Sequence, residues 1–389
     1  MPRPGENAAR TDPLKAERLV MHDHDDHEHH HGDGCCGGHD HQPAAVRQVD
    51  IPDRSDAPIL VEVTRGSMVE SRHRGRVVVV DAGARVVAHW GDVDGLVYPR
   101  SSNKALQAIP LIESGAADAY AVTDEELALA CASHQGEAMH TERVAAWLDR
   151  LGLSVNDLEC GAHLPTHEPT AAALLAVGQK PTALHNNCSG KHTGFLAVAK
   201  HKGEKLAGYV RYQHPVQQRI LGVIEQVTGH DLSRAPWGVD GCSIPTIGLP
   251  LGALALGMAR LADPDSLPDR RAEAVMRLRR AWGKHPELVG GTGNFDTEVM
   301  RAANAAVLLK SGAEGVCCAV LPEHGLGIAL KIEDGAPRAA GPAMAAVLKR
   351  LGVLPDTVWD GVATLAVAPV TSRKGEIVGE IRPTAVAAG

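Results

Sequence analysis

Ser101-Ser102-Asn103-Lys104 places a hydroxyl and an amine three residues apart. On a helix, positions i and i+3 share a face, so Lys104 can reach the Ser101 hydroxyl. A serine hydroxyl is a weak nucleophile until a base takes its proton. Lysine can be that base only as the neutral amine, a form that burial and a second nearby ammonium both favour. Lys310, in Lys310-Ser311-Gly312, offers the second ammonium, and Ser133-His134-Gln135 offers another hydroxyl. A helix N-terminus at Ser101 would also favour negative charge developing there. An S-x-x-K tetrapeptide also occurs as an ordinary helix start, but Ser101 is the only serine in the chain with lysine three positions on. Arg100 and His134 flank these groups; they are candidates for holding a substrate carboxylate, with a solvated or structural role as the alternative.

A second cluster joins Asn187-Cys188-Ser189-Gly190-Lys191 to Val239-Asp240-Gly241-Cys242. Cys188 and Lys191 lie on one helix face, and Asp240 and Cys242 flank a glycine and can point together. Two thiolates and a carboxylate suit tetrahedral zinc with one further ligand. Lys191 can be that ligand once deprotonated, which a metal favours. Two buried, unrelated cysteines are the alternative, since free cysteine is among the most buried residue types. Cys131, Cys160, Cys317 and Cys318 lie on apolar runs and read as core.

These groups need elements to hold them. Strands are expected at Ile59–Thr64, Arg76–Asp81 and Arg85–Trp90, with a turn at Asp81-Ala82-Gly83-Ala84. Ser101–Ser114 has helical apolar spacing, with Pro110 as a possible kink. Thr123-Asp124-Glu125-Glu126 is a capping box for a helix to about Cys131. Helical patterns follow at Thr141–Leu151, Ser189–Lys202, Pro215–Thr228, Leu251–Leu261, Asp269–Trp282 and Asp296–Leu309. Gly315–Leu321 and Gly327–Ile332 read as a hairpin, Pro342–Leu351 as a helix and Glu376–Arg382 as a final strand. Strands, a helical block, then strands again predict an α+β fold. Its mostly antiparallel sheet would be flanked by helices, with the helical block as a second lobe.

Composition narrows the function. The chain has 389 residues, 44% of them hydrophobic, 3% aromatic, and a net charge of −8. Few aromatics and an acidic balance argue against nucleic acid as a partner. No run approaches the length of a membrane helix and the N-terminus lacks a secretory apolar region, so a cytoplasmic location is expected. Its eight cysteines are then expected as thiols. Residues 1–56 stand apart from the domain expected over 57–389. Between His22 and His41 lie eight of the 21 histidines, together with Cys35-Cys36. This segment is expected to be a disordered tail. It either binds an additional divalent metal or is simply solvated, and the metal reading leaves open a metal-storage or metal-delivery protein.

The order S-x-x-K, Ser133-His134-Gln135, Lys310-Ser311-Gly312 is that of serine β-lactamase-like enzymes. Several longer motifs, namely Pro99–Lys104, Cys131–Glu137, Asn187–His192, Val239–Thr246, Gly290–Gly293 and Lys310–Gly315, resemble the Rhizobium-etli-type L-asparaginases of the asparaginase II family. The likeness spans about residues 58–385. The resemblance implies a fold similar to the serine β-lactamases and glutaminases, a homodimer, and hydrolysis of L-asparagine. It implies Ser101 with Lys104 and Ser133 with Lys310 as serine–lysine pairs, and zinc on Cys188, Lys191, Asp240 and Cys242. A glutaminase or another β-lactamase-like amidohydrolase is the nearest alternative. The histidine-rich tail is no part of the family's pattern.

Overall fold

A computed structural model describes residues 56–388. The expectations placed on the histidine-rich segment lie outside the described residues. Val77–Val80 are all buried, and this apolar run marks the middle of the main sheet. The strand that carries it, β2 (Met68–Asp81), is 14 residues long and serves two sets of neighbours. Its first half pairs with β1 (Ile59–Arg65), and its second half pairs with β3 (Val86–Trp90).

The remaining strands of this sheet come late in the chain. They are β4 (Leu308–Ser311), β5 (Val316–Leu321), β6 (Leu326–Ile332), β7 (Ala368–Thr371) and β8 (Ile377–Pro383). The sheet runs β7-β8-β1-β2-β6-β5-β4, with β3 also on β2, and every pairing is antiparallel. The early and late strands therefore share one sheet, as the element order implies.

Between them runs the helical lobe. It comprises α1 (Lys104–Glu113), α2 (Asp124–Ala130), α3 (Ala138–Arg150), α4 (Ser189–His201), α5 (Pro215–Thr228), α6 (Leu251–Ala262) and α7 (Asp269–Lys284). Then follow α8 (Phe295–Ala302) and, after β6, α9 (Pro337–Arg350). The architecture is α+β: a mostly antiparallel sheet flanked by helices, plus a helical lobe. Helix α1 is its axle. Residues 104–112 are all buried, against α4, α5 and α7 among others. A helix buried on every side has no polar face to spare for solvent, so a lysine at its first position is a departure that demands explanation. Helix α2 begins at the expected capping box, with Thr123 and Glu126 exchanging hydrogen bonds of 2.9 and 3.2 Å.

Two expectations fail in an informative way. The helical pattern over Asp296–Leu309 stops at Ala302, and Leu308–Ser311 is a strand. Asn304 and Ala305 adopt left-handed φ of 46° and 63°, which ends the helix. Val307-Leu308-Leu309 then becomes the buried start of β4. Lys310 thus sits within a strand and not ahead of one. Strand β2 also starts at Met68 and not at Arg76. Its first half alternates exposed polar residues with half-buried ones, a pattern its charges disguise.

Helix α6 packs on β2, β5 and β6. The approach is closest at Gly327, where a Cβ would lie 2.1 Å from Ala259 N and 2.3 Å from Ala255 O. Those atoms are backbone and cannot swing aside. Gly327→Ala should lower folding stability by roughly 3 kcal/mol. Gly222→Ala, on α5 where nothing lies within 4 Å, should raise it by about 0.5 kcal/mol. Urea midpoints of the two variants check the contrast; equal midpoints would mean that α6 does not depend on a bare backbone at Gly327.

Candidate active site

The Ser101 turn is built by the meeting of lobe and sheet. Arg100–Asn103 form a 3-10 turn that leads into α1, and the Lys104 amide donates to Ser101 O. In such a turn, i and i+3 eclipse, so Ser101 and Lys104 share a side. Strand β4 packs against this turn. At its end, a Cβ on Gly312 would lie 3.1 Å from Pro99 O and Ser102 N, and 3.2 Å from Ser101 N. A bare backbone here lets the strand carrying Lys310 approach the amides beside Ser101.

Both lysines are fully buried while Ser101 and Ser133 are partly exposed. The Lys104 ammonium donates to Ala132 O, to Ser133 Oγ at 2.9 Å and to Asn187 O at 3.4 Å. The Ser133 hydroxyl is therefore tied to Lys104. Lys310 donates to Ser311 O at 2.7 Å. Burial lowers the Lys104 pKa; nearby Cys188 opposes that and nearby Lys191 adds to it. Burial pushes Lys310 down to about 8, with Asp296 opposing and Lys104 assisting. Two buried amines close enough to repel each other thus stand behind a partly exposed serine. Such a set can take a proton from one hydroxyl and give one to a leaving group.

Comparison with known protein families identifies the lineage. Residues 61–383 match the family described as L-asparaginase II. The chain belongs to that family. It is an asparaginase-type amidohydrolase acting on a small molecule. No curated protein matches it. Among solved structures it is similar to a β-lactamase from Mycobacterium bovis, at 12% identity over 75% of this chain and 95% of that one, TM-score 0.38. It is also similar to Mglu in its native form in 4.3 M NaCl, at 13% identity over 72% of this chain and 61% of that one, TM-score 0.40. Simvastatin synthase from Aspergillus terreus, in a mutant form, matches at 12% identity over 67% and 86%, TM-score 0.33.

In this L-asparaginase II family chain the two candidate carboxylate holders differ. Arg100 gives Nε and Nη2 to Asp240 Oδ1 at 3.1 and 2.9 Å, and Nη1 lies 4.0 Å from Glu314. His134 is buried with both ring nitrogens engaged. Its Nδ1 accepts from the Gly136 amide at 3.1 Å, and its Nε2 meets Ser189 Oγ at 2.8 Å. The ring also stacks on His140, with centroids 4.8 Å apart. Burial and that neighbour hold His134 neutral, well below the usual imidazole range. It pins the Ser133 loop and has no donor left for a ligand.

Cys188 and Cys242 are both buried, and Cys188 Sγ lies 3.2 Å from Asn187 Oδ1. Lys191 Nζ lies 3.2 Å from Cys242 Sγ. Hydrogen bonding from Cys242 and the charges of Lys104 and Lys191 favour the Cys188 thiolate. Among the described residues, no group of three or more His, Cys, Asp or Glu side chains stands in a metal-holding arrangement. Two sulfurs and one amine do converge, with Asp240 turned to Arg100 and to the Gly241 amide at 2.6 Å. That donor chemistry fits zinc. The four other described cysteines are buried in the core, as their apolar runs indicate.

Several positions carried no role in the sequence. Asn187 O accepts from both Lys104 Nζ and the His134 amide. Glu137 accepts from Thr292 N at 3.0 Å and from Thr292 Oγ1 at 2.7 Å, and Ser133 N donates to Val289 O at 2.9 Å. These bonds sew the Ser133 loop to Val289–Thr292. Asp296 binds Ser311 through both carboxylate oxygens. Only the motif membership of Glu137, Asn187, Thr292 and Ser311 hinted at any of this.

Gly312→Ala tests the strand's approach. Its Cβ would meet backbone atoms, so β4 must shift by a few tenths of an ångström. The turnover number should fall by about 10-fold or more, with KM changed less, because small misplacements of reacting groups are costly. An unchanged turnover number would remove Gly312 from the account.

Proposed function

We propose that this chain is an L-asparaginase of the Rhizobium-etli type, hydrolysing L-asparagine to L-aspartate and ammonia through an acyl-enzyme on Ser101. The observation that carries the reading is the pair of buried amines, Lys104 and Lys310, behind the Ser101 turn.

Lys104, as the amine, takes the proton of Ser101, and Ser101 Oγ bonds to the side-chain carbonyl carbon. Backbone N–H groups of the Ser101 turn face the developing oxyanion. The carbon–nitrogen bond then breaks. Lys310, as the ammonium, supplies the leaving nitrogen with a proton through the Ser133 hydroxyl, and ammonia departs. In the second half a water loses its proton along the same path, to neutral Lys310, and attacks the ester. Lys104 returns its proton to Ser101 Oγ as aspartate leaves. Both lysines end as they began. Burial lowers the pKa of both amines, so each can exchange a proton. Arg100 retains N–H groups beyond those on Asp240 and holds the substrate carboxylate; His134 positions the Ser133 loop.

Ser101→Ala should cut ammonia release by several orders of magnitude, as loss of a covalent nucleophile does. Retention of more than about a tenth of turnover would exclude Ser101 as nucleophile. The same assay with L-glutamine and a chromogenic β-lactam separates the asparaginase reading from its nearest relatives. The pH dependence has a definite sign. Lys310, lowered to about 8, is a donor only below that value, so the turnover number should fall as pH rises through about 8. A rise through the same window would make Lys310 a base.

Zinc and a homodimer belong to the same proposal, as does a separate tail over residues 1–56 ahead of the catalytic domain 57–389. Cys188, Cys242, Asp240 and Lys191 would hold the zinc, which supplies a fixed positive centre that orients the substrate. Native mass spectrometry of the full chain should show two chains with zinc that Cys188→Ser loses. Monomers, or zinc unaffected by Cys188→Ser, would remove the corresponding part. Because Ser101 and not the metal carries the covalent step, Cys188→Ser should raise KM more than it lowers the turnover number.

A further inference from the structure

Asp296 is buried, on the first turn of α8. Its backbone amide is capped by Asn294 Oδ1 at 2.9 Å. One carboxylate oxygen accepts from the Ser311 amide at 2.6 Å, and the other accepts from Ser311 Oγ at 2.6 Å. Ser311 O in turn receives Lys310 Nζ at 2.7 Å. The chain of contacts therefore runs from a capped helix start, through a carboxylate, to both polar groups of the residue between Lys310 and Gly312. A helix N-terminus favours a carboxylate in this place. A carboxylate buried as deeply as this is costly unless its lone pairs are met, and here both oxygens are.

We propose that Asp296 is a positioning residue for the reaction: it clamps Ser311 so that Lys310 and Gly312 hold their places against the Ser101 turn, and it sets a fixed negative charge beside Lys310. The inference rests on the reading of Lys310 as the proton donor. The groups that act on Lys310 come from every element around it: Asp296 from α8, Lys104 from α1, Cys188 from the start of α4, Cys317 and Cys318 from β5, and Cys131 from the end of α2. Of the acidic groups among these, Asp296 is the carboxylate, and its effect on Lys310 is to favour the ammonium. Ser311 Oγ also lies 3.6 Å from Cys317 Sγ, so the clamp closes on an otherwise apolar layer.

Asp296→Asn keeps the size of the side chain and removes its charge. With the full chain and L-asparagine, the alkaline fall of the turnover number should move down by about one pH unit, because an opposite charge at this range no longer favours the ammonium. Turnover at neutral pH should fall at least several-fold. A purely structural role would lower the rate and leave the midpoint of that fall where it was, and such a result would overturn the electrostatic half of the proposal. Ser311→Ala keeps the charge and removes one hydrogen bond. It should lower turnover about 10-fold at an unmoved midpoint; full turnover would overturn the clamp. If Asp296→Asn does not fold, Ser311→Ala still decides the clamp. A failure of the underlying reading looks different: Ser101→Ala would stay active, or the wild-type rate would rise through pH 8.

Discussion

Three lysines are buried almost completely in one small region: Lys104, Lys191 and Lys310. Burying an ammonium is expensive, and neighbouring ammoniums repel each other strongly in a poorly polarisable interior. Each lysine here has a distinct answer. Lys104 has three oxygen acceptors, Lys191 has Cys242 at 3.2 Å with Asp240 and Cys188 nearby, and Lys310 has Ser311 O with Asp296 nearby. The outcomes differ accordingly. Nearby anions raise the pKa of Lys191, while burial weakens the hold of Lys104 and Lys310 on their protons. One crowding of like charges thus yields one amine governed by the cysteine cluster and two groups able to exchange protons.

That arrangement depends on the fold more than on any single motif. Lys104 starts α1, Lys191 lies in the first turn of α4, and Lys310 lies on the edge strand β4. The lobe and the sheet must be docked before the three can meet. Helix α1 fixes Lys104 because it is enclosed on all sides, and β4 fixes Lys310 because Leu308 and Leu309 are buried beside it. The Ser133 loop brings the third component, and it is held by Val289, Thr292, Ser189 and Asn187 and not by its own sequence.

What the sequence made legible follows the range of each interaction. At i and i+3 the Thr123–Glu126 capping box was readable, whereas the Lys104 ammonium is bonded to Ser133 and not to Ser101. The sheet was readable where apolar residues run together, as at Val77–Val80, and unreadable where charges alternate, as over residues 68–74. Beyond the joining of Lys191 to Cys242, long-range pairs left little trace. Nothing in the chain announces that Ser133 bonds Lys104 across 29 positions, or that Arg100 meets Asp240 across 140. Leu308–Ser311 was misread because Asp296–Leu309 keeps helical apolar spacing. The break is made by backbone conformation at Asn304 and Ala305, which spacing does not encode.

Arg100 joins these themes. Its φ of 51° lies in the left-handed region, which costs a residue with a side chain roughly 1–2 kcal/mol. The conformation persists because the guanidinium is held by two hydrogen bonds to Asp240, whose Oδ1 also takes the Gly241 amide. Asp240 and Cys242 share the loop between the paired strands Trp237–Val239 and Pro245–Ile247, so the loop that supplies a sulfur to the Lys191 cluster also holds the Arg100 side chain immediately before Ser101. The Arg100–Asp240 ion pair thus joins the loop carrying Cys242 to the Ser101 turn, beside the Lys104 contact to Asn187 O next to Cys188. The two clusters separated by the sequence meet through both Arg100 and Lys104.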